Sequence, residues 1–359
     1  MYLIAYITNL INTEEPLMNI EKAPFGKINS QDVEKYTLTN DNGVSISVLT
    51  FAALWQAFNV PADKGTVNLL LSSDNLENYT NNPFYAGRIV GRIGGRLKGG
   101  QFEIDGTTYQ VDQNEGNNSL HGGSNGFANQ VWQATTNQTA DSVSVTLSFT
   151  FTPAIDKFPG NLDAKVTYTL HKDNSVTIDF EGTTDANTLF NPTSHAYWNL
   201  SETYNILNHT FQANSGSHLE FDDEKIATGN LLVNANTPFD FNQPTLFKDA
   251  IDGMSNTDEK GFDDILVVDP DSDEAAATLK DQDSGRSIKL YSDRNGLVVF
   301  TANSFNDVAT YTNGPAHPYQ AVALEAQTLS DTPHHPNFGD VTLKANETKN
   351  YQIKIVPEF

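Results

Sequence analysis

Apolar and polar residues alternate with a period of two along much of this chain. Between positions 143 and 151 every second residue is Val, Leu or Phe, and the residues between them are Ser or Thr. Such alternation is typical of a β-strand with one buried face. Asp105-Gly106 and the stretch 172–174 carry residues that favour tight turns between strands. Comparable apolar segments recur at 102–111, 166–170, 176–180, 288–290, 297–300 and 351–355.

Helical patterns are few, and 51–58 and 244–254 are the best short candidates. No segment repeats with a period of about 20–50 residues, which disfavours a propeller or a solenoid. No long Pro- or Ser-rich linker divides the chain. We therefore predict an all-β fold, a large antiparallel β-sandwich with long loops and few short helices.

The first 17 residues are expected to be an extension outside this sandwich. Met18 begins a stretch that reads like the natural opening of a protein. The preceding residues lack the basic start and the small-residue cleavage site of a signal peptide. We expect one domain over 18–359 and expect activity to survive deletion of 1–17.

The charge balance narrows the classes of partner. Lys and Arg number 21 against 45 Asp and Glu, a formal net charge of -24, which disfavours binding to nucleic acids. No apolar run approaches the ~18 residues that a membrane-spanning helix needs. The chain has no cysteine, so disulfides and thiolate chemistry are absent. The lack of cysteine is compatible with the cytoplasmic location that we expect.

Four segments depart from strand alternation and are candidates for chemistry. The stretch 87–96 combines glycines with three arginines, and 117–123 places His121 before two glycines. The stretch 191–200 sets His195 among Asn, Ser and large aromatic residues, a composition that suits a sugar. Taken alone, the first two segments fit a Gly-rich turn with surface arginines and a surface histidine better than a site, and the third fits a hydrogen-bonded core histidine equally well.

The fourth segment is 321–327. It contains Glu325, the most informative single residue, because Glu325 interrupts the apolar run 321–326. A carboxylate in an apolar strand is costly unless it is paired or functional. Burial there would raise its pKa and suit it to general-base catalysis near neutral pH. Gln327 should lie on the same strand face. An ion-paired structural glutamate is the alternative.

Metal-binding patterns are weak. The acidic stretch 269–280 has Glu274 and Lys280 where a calcium loop needs Gly and Glu. His334 and His335 lie between prolines, with no evident third ligand beyond Asp331. We expect no metal.

Taken in order, these segments resemble the aldose 1-epimerase (mutarotase) family from about Phe25 to the C-terminus. The match is strong because several motifs occur in one order. They are Gly91-Arg92-Ile93-Gly94-Gly95-Arg96, Asn118-Ser119-Leu120-His121-Gly122-Gly123, Ser194-His195-Ala196-Tyr197-Trp198-Asn199-Leu200, Phe262-Asp263 and Leu324-Glu325-Ala326-Gln327.

The resemblance implies a large antiparallel sandwich, the galactose mutarotase-like supersandwich, and an enzyme that interconverts the anomers of free hexoses such as glucose and galactose. It implies that Glu325 takes the proton of the C1 hydroxyl and that His195 protonates the ring oxygen. Arg96, His121 and Asp263 would hold the sugar. It implies no cofactor and no metal, and leaves the oligomeric state open.

Three positions depart from the family pattern, and three other functions stay open. Gly95 stands where Asn is usual, Asp264 where His is frequent and Trp198 where Phe is usual, so sugar preference is in doubt. A phosphosugar 1-epimerase would need basic side chains at the rim. A sugar-binding protein without activity would need neither proton-moving residue. A glycosidase could use Asp263 with Glu325, but would leave the histidines unexplained.

Overall fold

Most of the alternating segments form strands of two large antiparallel sheets, one of nine strands and one of six. The computed structural model describes residues 18–307 and 309–359. Along Ser142–Phe151 the side chains of Val143, Val145 and Leu147 are fully buried, while the Ser and Thr residues between them are partly exposed. The predicted all-β, antiparallel fold is confirmed. Residues 1–17, expected to be an extension, lie outside the described residues.

The first five strands form a separate sheet in which each strand pairs with the next. They are β1 (Asn19–Ile28), β2 (Gln31–Thr39), β3 (Ser45–Leu49), β4 (Leu54–Pro61) and β5 (Thr66–Asn68).

The prediction of a helix over 51–58 is wrong, because this segment is a turn followed by most of β4. Ala52 and Ala53 have φ of 58° and 45°, the left-handed region that an α-helix excludes. Every residue from 54 to 58 is buried, so the strand shows no polar face and no period of two. Periodicity alone does not separate such a buried strand from a helix.

Short elements and loops follow. They are α1 (Glu77–Thr80), β6 (Ile89–Val90), β7 (Arg96–Leu97), β8 (Gln101–Ile104), β9 (Thr107–Gln110) and β10 (Ser119–Leu120), with 3₁₀ turns at Lys98–Gly100 and Phe127–Asn129. β8 and β9 form the hairpin predicted at Asp105-Gly106. β7 pairs with β10.

The rest of the chain supplies both large sheets. Its elements are β11 (Gln133–Gln138), β12 (Ser142–Phe151), α2 (Pro153–Asp156), β13 (Leu162–His171), β14 (Val176–Thr184), β15 (Thr188–Leu189), β16 (Thr193–Ser194), β17 (Tyr197–Trp198), β18 (His209–Ala213), β19 (Ser217–Phe221), β20 (Ala227–Val233), β21 (Thr245–Leu246), α3 (Phe247–Gly253), β22 (Asp263–Val267), β23 (Ala277–Asp281), β24 (Ser287–Ser292), β25 (Gly296–Phe300), β26 (Thr310–Tyr311), β27 (Gly314–Pro315), β28 (Val322–Gln327), β29 (Thr342–Leu343) and β30 (Thr348–Glu358), with 3₁₀ turns at Thr332–His334 and Pro336–Phe338.

The strand orders separate the two sheets clearly. The nine-stranded sheet runs β11-β12-β13-β14-β30-β24-β23-β18-β21, and the six-stranded sheet runs β17-β28-β25-β22-β19-β20. β24 and β25 are consecutive in the chain but belong to different sheets. Asn295-Gly296, a dipeptide typical of hairpins, therefore lies where the chain crosses from one sheet to the other.

A large cluster of buried apolar side chains draws on the five-, six- and nine-stranded sheets. Trp55 of β4 and Trp198 of β17 meet edge to face in it, with ring centroids 5.4 Å apart. Aromatic pairs in this geometry contribute about 0.5–1.5 kcal/mol beyond the area they bury. The core thus anchors the short strand β17 beside β28.

The helix predicted within 244–254 is confirmed as α3. Its buried residues are Phe247, Ala250 and Ile251, the spacing of one helical face. Among the described residues, no helix has the length and apolar character needed to cross a membrane.

Candidate active site

A cavity of about 270 Å³ opens over one face of the six-stranded sheet, and we call it the active cavity. All five residues implied by the family resemblance line it together: Arg96, His121, His195, Asp263 and Glu325. They come from parts of the chain that are far apart in sequence. Pairing between strands explains how they meet.

The sheet register places the two carboxylates on one face. Glu325 on β28 lies opposite Val298 on β25, which lies opposite Ile265 on β22, and all three line the active cavity. Asp263 comes two residues before Ile265 and so faces the same side. Glu325 therefore points into the cavity because successive side chains of β28 point to opposite faces of the sheet.

His195 meets Glu325 through the pairing of β17 with β28. Tyr197 pairs with Ala323 in an antiparallel ladder, which sets position 195 across from 325. The His195 backbone is held by hydrogen bonds with two neighbours: it accepts from the Gly87 N–H at 3.0 Å and donates to the Arg88 carbonyl at 2.9 Å. His195 Nε2 consequently lies 3.4 Å from Glu325 Oε1.

Burial sets the protonation of this pair. Both side chains are almost completely buried, at 7% and 3% exposure. Burial raises the pKa of Glu325 to about 8, as its apolar strand predicted, with the negative charge of Asp263 raising it further and Arg96 opposing. Burial lowers the pKa of His195 to about 3. At neutral pH the two groups together therefore carry one proton, which rests on Glu325.

His121 and Arg96 reach the cavity from the small sheet of β7 and β10. Leu120 pairs with Arg96, and the next residue, His121, donates its backbone N–H to the Gly95 carbonyl at 3.0 Å. The Gly95 N–H donates in return to His121 Nδ1 at 3.1 Å. The His121 ring lies edge to face with that of His195, with centroids 5.2 Å apart.

The Gly95 bond decides which nitrogen of His121 faces the ligand. Burial lowers the pKa of His121 well below its ordinary value, so the ring is neutral. Because Nδ1 accepts a hydrogen bond, the proton of the neutral ring lies on Nε2. His121 therefore presents a hydrogen-bond donor, which suits an oxygen of a sugar.

Two ion pairs border the cavity. Arg96 donates from Nε and Nη2 to the Glu115 carboxylate at 2.6 and 2.9 Å, a two-point contact that fixes the guanidinium plane. Lys225 pairs with Glu259 at 2.9 Å. Burial raises the pKa of Asp263, and the positive charge of Arg96 opposes this shift. The rim thus holds charged groups that are already paired.

The other two arginines of the Gly-rich stretch 87–96 lie neither at the surface nor in the active cavity. Arg92 is fully buried and pairs with Asp156 at 2.6 Å. Arg88 is buried as well, and donates to the Tyr79 carbonyl and to Asn129. These two arginines connect loops within the protein, and only Arg96 reaches the cavity.

Within residues 18–307 and 309–359, His121, His195 and Glu325 come closest to forming a metal site, with one donor atom from each within 4.8 Å of the others. The His121 hydrogen bond opposes that use. Its Nδ1 is engaged by Gly95 and its Nε2 carries the proton, so the ring as placed has no free lone pair for a cation. The three groups therefore fit proton transfer and sugar binding better than metal binding.

Comparison with known proteins identifies the family. The family model described as aldose 1-epimerase matches residues 34–356. A maltose epimerase of Levilactobacillus brevis is 44% identical over 337 residues, covering 94% of this chain and 98% of that protein.

The chain belongs to the aldose 1-epimerase family. It is therefore an isomerase that acts on the anomers of a sugar. An aldose 1-epimerase of Streptococcus thermophilus is 36% identical over 344 residues, covering 94% of this chain and 97% of its own. The crystal structure of galactose 1-epimerase from Lactobacillus acidophilus superposes with a TM-score of 0.83 at 25% identity, covering 95% of this chain and 99% of that one.

The enzyme's three departures from the family pattern have different surroundings. A Cβ at Gly95, where φ is +73°, would meet Ser330 Oγ at 2.1 Å, so Ser330 occupies the space of a larger residue. Asp264 accepts the Asp263 backbone N–H at 3.1 Å, and burial raises its pKa to about 6. Trp198 packs in the core and does not line the active cavity. Of the three, Gly95 alone lines the cavity.

Several residues of the enzyme's cavity were not found from the sequence. Tyr85 lies beside both histidines, with ring centroids 4.8 Å from His121 and 6.1 Å from His195. Phe300, Glu115 and Lys225 also line the cavity. Phe300 left a usable signal in the sequence, because it ends an apolar run. In the structure it pairs with Asp263 and shares its sheet face. Nothing in their local sequence marks Tyr85, Glu115 or Lys225.

Proposed function

We propose that this enzyme interconverts the α and β anomers of free hexoses, glucose and galactose among them, with Glu325 and His195 as the proton-moving pair. The single observation that carries the proposal is the 3.4 Å approach of His195 Nε2 to Glu325 Oε1 in a buried cavity. The two residues are 130 positions apart (325 − 195).

The chemistry needs one acid and one base. Opening the ring removes a proton at O1 and delivers one at O5, and closing it on the other face reverses both steps. A pair that holds one proton supplies both functions and is restored after each turnover. In the proposed working form Glu325 is ionised and His195 is protonated, reached by shifting the resting proton from Glu325. Arg96 favours this form because its charge lowers the pKa of Glu325.

Three further residues are proposed to hold the sugar. Arg96 is fixed by Glu115, and its remaining N–H groups can donate to hydroxyl oxygens. His121 supplies the Nε2–H donor derived above. Asp263 supplies an acceptor on the same sheet face as Glu325. Phe300 and Tyr85 add aromatic surface for the apolar C–H face of a sugar.

The relatives widen the set of candidate sugars. One is named maltose epimerase at 44% identity, and one is named galactose mutarotase, from Bos taurus, at 27% identity. We therefore include maltose, whose reducing unit is a hexose with a free anomeric centre, among the proposed substrates.

Polarimetry on freshly dissolved glucose, galactose and maltose tests the proposal. We expect catalytic amounts of the protein to accelerate the approach to the equilibrium rotation beyond the rate in buffer. If none of the three sugars relaxes faster, the proposal is wrong, and a binding protein without activity becomes the better interpretation.

A phosphosugar 1-epimerase is the second candidate, and the charges around the cavity count against it. Arg96 and Lys225, the cationic side chains that line the cavity, are both paired with glutamates. A phosphate would have to compete with Glu115 and Glu259 for them. A greater acceleration by the protein, relative to the rate in buffer, for glucose 6-phosphate than for glucose would favour this candidate.

We propose that residues 18–359 are the catalytic unit, so that deletion of 1–17 leaves the specific activity unchanged. Loss of folded protein on that deletion would contradict it.

We also propose a cytoplasmic location, in line with the cysteine-free sequence. Cell fractionation with an antibody against the protein would test this.

A further inference from the structure

A second recess of about 240 Å³ adjoins the active cavity. It is lined by Glu115, Gly116, Asn117, Asn118 and Glu224. Glu115 lines both spaces. The consecutive residues Glu224 and Lys225 also divide between them, with Glu224 in the second recess and Lys225 in the active cavity. The two spaces are therefore neighbours of similar size, with Glu115 on the border between them.

Hydrogen bonds hold the walls of the second recess in place. The buried Asn118 donates from Nδ2 to Glu224 Oε2 at 2.9 Å, which joins the two sides of the recess. Asn118 Oδ1 accepts the Gly99 N–H at 2.9 Å. The Glu224 N–H donates to Asp222 Oδ1 at 2.9 Å. A recess whose walls are already fixed loses little further entropy when a ligand binds.

The lining selects for a neutral ligand rich in hydroxyl groups. The exposed Asn117 amide can both donate and accept hydrogen bonds, and carboxylates accept them from hydroxyls. The Glu224 carboxylate repels a phosphate, and no Lys or Arg of the described part of the chain lines the recess. The nearby Lys225 is paired with Glu259 at 2.9 Å.

We propose that the second recess binds the non-reducing sugar unit of a disaccharide whose reducing unit occupies the active cavity. The inference rests on the proposed function, because it needs a free anomeric carbon beside Glu325 and His195. The similar volumes of the two spaces match two linked hexose units. Glu115 then contributes to both, fixing Arg96 on one side and accepting hydroxyls on the other.

The test compares maltose with glucose in the same assay. Asn117 is exposed and lines only the second recess, so Asn117→Trp fills that space without touching the active cavity. We expect the ratio of kcat/KM for maltose to that for glucose to fall about tenfold. Glu224→Ala, which removes a wall and an acceptor, should lower the same ratio about threefold. Asn137→Trp, on the exposed edge strand β11, is the matched control and should leave the ratio unchanged.

The outcomes separate the two proposals. If the wild type accelerates glucose and maltose but both variants keep the wild-type ratio, the second recess is not a sugar site and the proposed function stands. The same holds if both sugars lose activity equally. If the wild type accelerates no sugar, the proposed function fails and this inference fails with it. A ratio that falls in both variants and not in the control supports the second recess as the disaccharide subsite.

Discussion

The buried proton-moving pair and the charged rim of the active cavity are built in opposite ways. His195 and Glu325 are buried, lie on the six-stranded sheet and its edge, and have no Lys or Arg as an ion-pair partner among the described residues. Arg96 and Lys225 lie on loops or short strands, are partly exposed and are each paired with a glutamate. One side combines low polarity with a single proton, and the other combines several charges that neutralise one another.

This difference indicates how each side should respond to change. A proton-moving residue acts in the chemical step itself, so its loss should lower kcat. Sugar-holding residues share the binding of several hydroxyls, so the loss of one should act mainly on KM. The four predictions below are ordered by the size of the expected effect.

Glu325→Gln should have the largest effect, a loss of about 10³-fold in kcat, because the amide cannot take a proton from O1. The fold should persist, since the amide is nearly isosteric with the neutral carboxylic acid present at rest. Polarimetry and circular dichroism measure the two properties. Glu103→Gln, on the exposed side of β8, is the control. Near-wild-type activity of the Glu325 variant would remove this residue from the proposed pair.

His195→Asn should lower kcat by about 10²-fold, less than the loss at Glu325, because an asparagine amide still donates a hydrogen bond to the ring oxygen. KM should change little. Initial rates over a range of glucose concentrations separate the two constants, and His171→Asn on β13 serves as the control. Retained kcat would move the acid role to another group, with His121 the next candidate.

The pH dependence should show the shared proton directly. The pair needs one proton, and that form prevails between the two pKa values of about 3 and about 8. As pH rises through 8 the last proton leaves, so kcat/KM should fall about tenfold between pH 7 and pH 9. The rate in buffer must be subtracted at each pH. A kcat/KM that instead rises through pH 8 would show that Glu325 acts as an isolated base.

Glu115→Gln should have the smallest effect, a rise of about threefold in KM at nearly constant kcat. The carboxylate orients Arg96, and partly exposed ion pairs of this kind contribute about 0.2–1 kcal/mol. Glu181→Gln, which breaks the exposed pair with Lys165 on the nine-stranded sheet, should leave both constants unchanged. A tenfold fall in kcat at Glu115 would show that Arg96 takes part in moving protons, and the contrast between the two sides would then be wrong.

Much of the architecture was predictable because it depends on local patterns. Alternation marked β12, β13 and β14, and the Asp105-Gly106 turn marked the hairpin of β8 and β9. The misread segment 51–58 had no alternation, because β4 is buried on both faces. A strand with one exposed face leaves a record in the sequence, and a strand without one does not.

For the site, the sequence by itself determined the family motifs and the anomaly of a carboxylate in an apolar strand, since both are properties of residues that are neighbours in the chain. Only the tertiary structure decided that His195 lies across from Glu325, that Arg88 and Arg92 connect buried loops, and that Glu115 borders two neighbouring spaces. These relations depend on pairings between distant segments. A residue's local sequence carries no record of which distant strand will lie beside it.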